Sequence, residues 1–135
     1  MMRLTCITLM IAAAIGLHSV SSYADTSLSL ADKVSLQAAM QTHVDRLTVD
    51  GAVLYLDQES GEVRRLHPVT AHPMILAFGE HFVLCFDFRD DAGNTVPIDY
   101  YMARQEASYV VFHTAVADRS LLSKLMSNGR VTRLK

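Results

Sequence analysis

The sequence predicts an α+β fold: an N-terminal amphipathic helix packed on a curled antiparallel meander sheet of five or six strands, followed by a short C-terminal helix. Three observations carry this. Leu36, Met40, Val44 and Leu47 recur at three- and four-residue spacing, the period of one helix face. The remainder is mostly short β-rich runs separated by tight-turn spellings, which make neighbouring strands antiparallel. One of these hairpins, His81–Met102, closes with four apolar pairs in register.

The helix starts near Asp32, capped by Ser29 or Asp32, and is expected to end at Asp50-Gly51. Ala52–Gln58 then reads as a strand, Glu59-Ser60-Gly61 as a turn, and Glu62–Leu66 as the return strand. His67-Pro68-Val69-Thr70-Ala71-His72-Pro73 reads as an irregular connection, because each proline removes a backbone donor. Met74–Phe78 follows as a short buried strand, with Gly79-Glu80 as a turn.

The central hairpin comes next. Phe82, Leu84, Phe86 and Phe88 share one face of the first limb, and Val96, Ile98, Tyr100 and Met102 share one face of the second. Asp91-Ala92-Gly93 suits a three-residue loop with Gly93 left-handed. This pairs Phe88 with Val96, Phe86 with Ile98, Leu84 with Tyr100 and Phe82 with Met102. A one-residue slip would turn either set toward water. Arg104-Gln105-Glu106 makes a further turn, and Tyr109–Val116 a last long strand. Asp118 caps a short helix over Arg119–Ser127 whose apolar face is Leu121, Leu122, Leu125 and Met126, and Gly129 ends it. Val131–Lys135 is a basic tail suited to an edge strand.

Asp57-Gln58-Glu59-Ser60-Gly61-Glu62-Val63, behind a helix, resembles the hairpin of small exported domains of the PepSY type over about a quarter of the mature chain. Turn chemistry alone produces the same spelling. The whole architecture is similar to the half-rolls of cystatin-like and NTF2-like domains, a likeness that implies a fold and carries no function.

The N-terminus reads as a cleaved signal peptide, residues 1–24. Arg3 provides a basic start, Leu4–Leu17 is uncharged and apolar, and Ser22 and Ala24 are the small residues read by a signal peptidase. The apolar run of 14 residues is short of the about 20 needed to span a bilayer. Cleavage after Ala24 leaves a single domain, residues 25–135, in the periplasm or outside the cell. The whole chain has 12 basic and 14 acidic residues; the leader removes Arg3, so the mature net charge becomes −3. A mildly acidic chain with scattered cations implies no nucleic-acid partner and, once cleaved, no membrane partner. Cys6 leaves with the leader, so Cys85 is the single free cysteine and the domain stands on its core rather than on disulfides.

Three groups of residues carry candidate chemistry. Cys85, Asp87, Asp99, Tyr101 and His113 form the first. Cys85 lies opposite Asp99 in the hairpin register, on the face away from the phenylalanines, with Tyr101 one pair along. Reactive cysteines need an electropositive, accessible setting, whereas Asp87 and Asp99 oppose a thiolate and free cysteine packs as a small hydrophobe. The register beyond Arg104–Ala107 decides the place of His113: one parity puts it on the Cys85/Asp99 face, the other among Tyr100 and Met102. Second, His67, His72 and His81 could ligate a metal, since His67 and His72 have four residues between them. Third, Asp87, Asp90, Asp91 and Asn94 gather at the hairpin end without calcium-loop spacing and read as turn-formers.

No nucleophile-base set, phosphate-cradling glycine loop or cofactor motif stands out. The functional expectation is a small exported binding domain for a small ligand or protein partner, with no cofactor and with its sheet able to support a homodimer. The alternatives are a small hydrolase or isomerase with a pocket in the sheet concavity using His113, Asp99 and Tyr101, and a metal-binding protein using His67, His72 and His81.

Overall fold

Ser29 begins the first helix in the computed structural model, which describes residues 27–134. Its side-chain oxygen accepts the Asp32 N–H at 3.0 Å and caps α1, Leu30–Leu47. Leu36, Met40 and Val44 are the buried stripe of α1. The expected leader and its cleavage site lie outside the described residues.

Seven strands follow: β1 Thr48–Val49, β2 Ala52–Leu56, β3 Val63–Phe78, β4 His81–Arg89, β5 Thr95–Gln105, β6 Ser108–Val116 and β7 Val131–Arg133, with α2 at Ser120–Ser127. The sheet runs β1-β2-β3-β4-β5-β6 in chain order, all antiparallel and not closed, and β7 pairs with the far end of β3. This is the expected α+β meander with a helix at each end of the sequence. The central hairpin has the anticipated register, including Phe82↔Met102, Leu84↔Tyr100, Phe86↔Ile98, Phe88↔Val96 and Cys85↔Asp99. Gly93 sits at φ 86° in the loop, where the Asp90 carbonyl accepts its N–H.

Details of α1 and β3 depart from expectation. Asp50-Gly51 does not terminate α1. With φ 50° and 78°, both residues form the two-residue turn joining β1 to β2, and the helix stops earlier, at Thr48, which starts a strand. The segment His67–Pro73 is not a connection but the middle of the 16-residue β3. Two register shifts interrupt its pairing with β4, between Pro68 and Thr70 and between Ala71 and Ile75. On its other flank β2 pairs only up to Leu66 and β7 only from Leu76. The prolines therefore occupy bulged, one-sided strand, where a missing donor costs least. Met74 is exposed, since the buried positions there are Ile75 and Leu76.

Both sheet faces are covered. On the inner face, α1 packs against β2, β3 and β6, and the main core joins its stripe to Leu66, Phe82, Leu84, Phe86, Phe88, Ile98, Tyr100 and Met102. The start of α1 is tied to the β5–β6 end. There Asp32 Oδ1 accepts from Arg104 Nη2 and from the Tyr109 hydroxyl, each at 3.0 Å. The outer face has its own core of Leu76, Val83, Cys85 and Tyr101 under Leu122 and Leu125 of α2, with Val131. Leu121 and Met126, expected on the apolar face of α2, are left substantially exposed.

Candidate functional site on the outer sheet face

The β5–β6 connection is the two-residue turn Glu106-Ala107, which pairs Gln105 with Ser108. Continued unchanged, that register would set His113 opposite Tyr100 on the core face. A bulge at Phe112 intervenes: Met102 pairs with Val111, but Tyr101 pairs with His113. The extra residue reverses the alternation of everything that follows. Val116 then packs on the inner core and Ala115 on the outer one, while His113 emerges on the Cys85/Asp99 face. The place opposite Tyr100, on the α1 side, is taken by Thr114, which is exposed.

The outer face gathers four of the five residues singled out above, but not as a catalytic set. Cys85 is 9% exposed, and burial, then its hydrogen bond with Asp99, then the Asp99 charge push its thiol up to about 12. Asp99 is 1% exposed and pairs with Ala115 rather than His113. Its Oδ1 accepts from Arg119 Nη2 at 3.1 Å, and its Oδ2 has no hydrogen-bond partner. Tyr101 is buried with its hydroxyl unpartnered; burial, then the Asp99 charge, raises its pKa. His113 is exposed and touches the Tyr101 ring, with centroids 5.2 Å apart. Asp87, the fifth, is engaged elsewhere, since His72 Nε2 lies 2.8 Å from its Oδ2.

The thiol, imidazole and carboxylate thus share a face, but the imidazole does not join the other two: Cys85 lies against Asp99, Asp99 pairs with Arg119, and His113 packs on Tyr101. These residues also lie on the face opposite α1, so they do not line a concavity beneath the first helix. The three histidines of the metal alternative do not converge. His67 Nε2 lies 2.8 Å from Asp91 Oδ1, His72 is on Asp87, and His81 stacks among aromatic rings. Among the described residues, no three His, Cys, Asp or Glu side chains are grouped to hold a metal ion.

What the outer face does present is a run of rings. The Phe112 ring meets His81 edge-on at 5.3 Å and Tyr101 at 6.4 Å. Phe78 meets Tyr101 edge-on at 6.2 Å and lies 6.3 Å from His81. Arg130 covers the Phe78 ring at 5.5 Å. Phe112 is 52% exposed at the rim of this cluster. Sequence reasoning passed over Phe112, Phe78, Arg119 and Arg130. The only available signal for Arg119 was that a carboxylate buried at Asp99 would require a cation.

A concavity of about 590 Å³ lies between α1 and the β5–β6 end, lined by Thr42, His43, Arg46, Gln105, Ser108 and Tyr109 among others. His43 packs edge-on against Tyr100 at 5.4 Å, and burial, then Arg46, lowers its pKa below the ordinary imidazole value. No helix among the described residues is long and apolar enough to cross a membrane. Comparison with protein-family models, with curated proteins and with solved structures finds no match to this chain.

Proposed function

We propose that this chain is a small exported binding domain, working in the periplasm or outside the cell, whose ligand surface is the ring cluster of the outer sheet face. The observation that carries this reading is Phe112, held half exposed by a β-bulge against His81 and Tyr101. Bulges re-aim side chains, and this one sends both Phe112 and His113 to the same face. Such a surface offers ring edges and faces for stacking, with two imidazoles to orient a polar group. It suits an aromatic or other planar apolar group, either free or as a side chain of an extended protein segment. Binding is favoured over catalysis because the Cys85 thiol is buried and held protonated, and neither Asp99 nor Tyr101 is open to solvent.

Two experiments test the two parts of this reading. N-terminal sequencing of protein recovered from the exported fraction should begin at Asp25, and a full-length chain retained in the membrane would overturn the export assignment. For the surface, the probe is N-acetyl-phenylalanine amide, titrated while amide chemical shifts are followed. Shifts should concentrate at His81, Tyr101, Phe112 and His113 and disappear in Phe112→Ser. Shifts confined to His43, Arg46 and Gln105 would move the site to the α1 cleft.

A further inference from the structure

We propose that two copies of this chain pair antiparallel through the free edge of β6, extending the sheet across a twofold axis at Phe112-His113. The inference stands on the strand edge and not on the ligand reading above. Among the described residues β6 ends the strand order, so one flank of its nine residues has no partner there. That stretch, Ser108–Val116, contains no Lys, Arg, Asp, Glu or Pro. Sheet proteins ordinarily guard long edges with charges, prolines or distortion. This chain does so elsewhere: the open stretch of β3 carries Pro68, Pro73 and two register shifts, and β1 is only two residues long. The bulge is the one irregularity of β6, and it is compatible with self-pairing.

The hydrogen-bond alternation shows why. Ala117 donates its N–H to the Pro97 carbonyl at 2.9 Å, so Ala117 faces β5. Alternation then turns the backbone groups of Val116 and Thr114 outward. At the other end, Ser108 closes a two-residue turn with Gln105 and faces β5, which turns Tyr109 and Val111 outward. The outward set Tyr109, Val111, Thr114 and Val116 maps onto itself when reversed about the midpoint of Phe112 and His113. Tyr109 of one copy meets Val116 of the other, and Val111 meets Thr114. A twofold contact sets a residue near the axis beside its own counterpart, so a charge there would face itself. β6 has none. The two exposed Phe112 rings come together at the axis, and the outer ring clusters join side by side into one face.

Sedimentation equilibrium on protein purified from cells expressing the 135-residue sequence tests this. Thr114→Pro removes an outward N–H without touching a bond to β5, and symmetry doubles the loss. It should weaken association by about tenfold or more while leaving the circular dichroism unchanged. Phe112→Lys places like charges at the axis and should weaken association by about tenfold or more at low salt. If Thr114→Pro proves unfolded, Phe112→Lys decides alone. A wild-type chain that stays monomeric at about 200 µM overturns the proposal. So does a dimer that survives Phe112→Lys, or a monomer whose β6 amides shift only when an extended peptide is added.

Discussion

Alkylation of Cys85 separates a packing thiol from a working one. At pH 7 a thiol at its ordinary 9.0 is about 1% thiolate; one held at about 12 is about one part in 10⁵, a thousandfold less of the reactive form. Limited exposure under α2 slows attack further. Iodoacetamide at pH 7 should therefore modify the native protein at least about a thousandfold more slowly than the urea-unfolded chain. The same shift predicts an alkaline stability loss. Burial and Asp99 raise the folded pKa, so the folded protein keeps its proton after the unfolded chain has lost it. The resulting stabilisation is fully present below 9.0 and is lost as pH rises toward about 12. Over that window wild type should lose stability faster than Cys85→Ala. Tyr100, raised by burial alone, cancels in the comparison, whereas Tyr101 is also raised by the Cys85 charge, so its loss adds to the wild-type slope. A native rate within about tenfold of the unfolded rate, titrating below 9.0 and lost in His113→Ala, would refute the reasoning and restore a thiol mechanism.

Other outcomes follow from burial and pairing. Phe86→Asp should abolish folding, since it buries an unpaired charge at a cost of several kcal/mol, whereas exposed Arg89→Asp should stay within about 1 kcal/mol; thermal melts ranking them in reverse would invalidate the face assignment. Arg119→Met should destabilise by about 2 kcal/mol and more than Asp99→Asn, because it leaves a buried carboxylate unpaired; Arg119 is half exposed, which keeps the loss below that of a fully buried pair. Urea denaturation giving the opposite order would refute the Arg119–Asp99 pair as a stabilising contact. Ser29, Arg104 and Tyr109 hold Asp32 at about 2, so its contribution is present above 3.8 and fades as pH falls through about 2. Asp32→Asn should flatten acid unfolding in that window, and an unchanged profile would count against the Asp32 cluster.

Local chemistry and period-two alternation were enough to determine the central hairpin. Its turn needs one left-handed residue, Gly93, and its eight apolar partners fall on one face only in the observed register. The stripe of α1, its Ser29 cap and the opposition of Cys85 to Asp99 follow from the same short-range rules. Tertiary structure decided the rest. Proline statistics could not reveal that His67–Pro73 remains strand, because that depends on β2 and β7 both stopping short of it. Nor could a turn spelling place His113. The turn alone would have set it opposite Tyr100 on the α1 side; the bulge at Phe112 puts Thr114 there, turns Val116 toward the inner core and sends His113 to the outer face. The fate of Cys85 and Asp99 depended on α2 folding back to set Leu122, Leu125 and Arg119 over the outer face. Propensity reports a helix but not which surface it covers, since that is settled by burial between segments far apart in the chain.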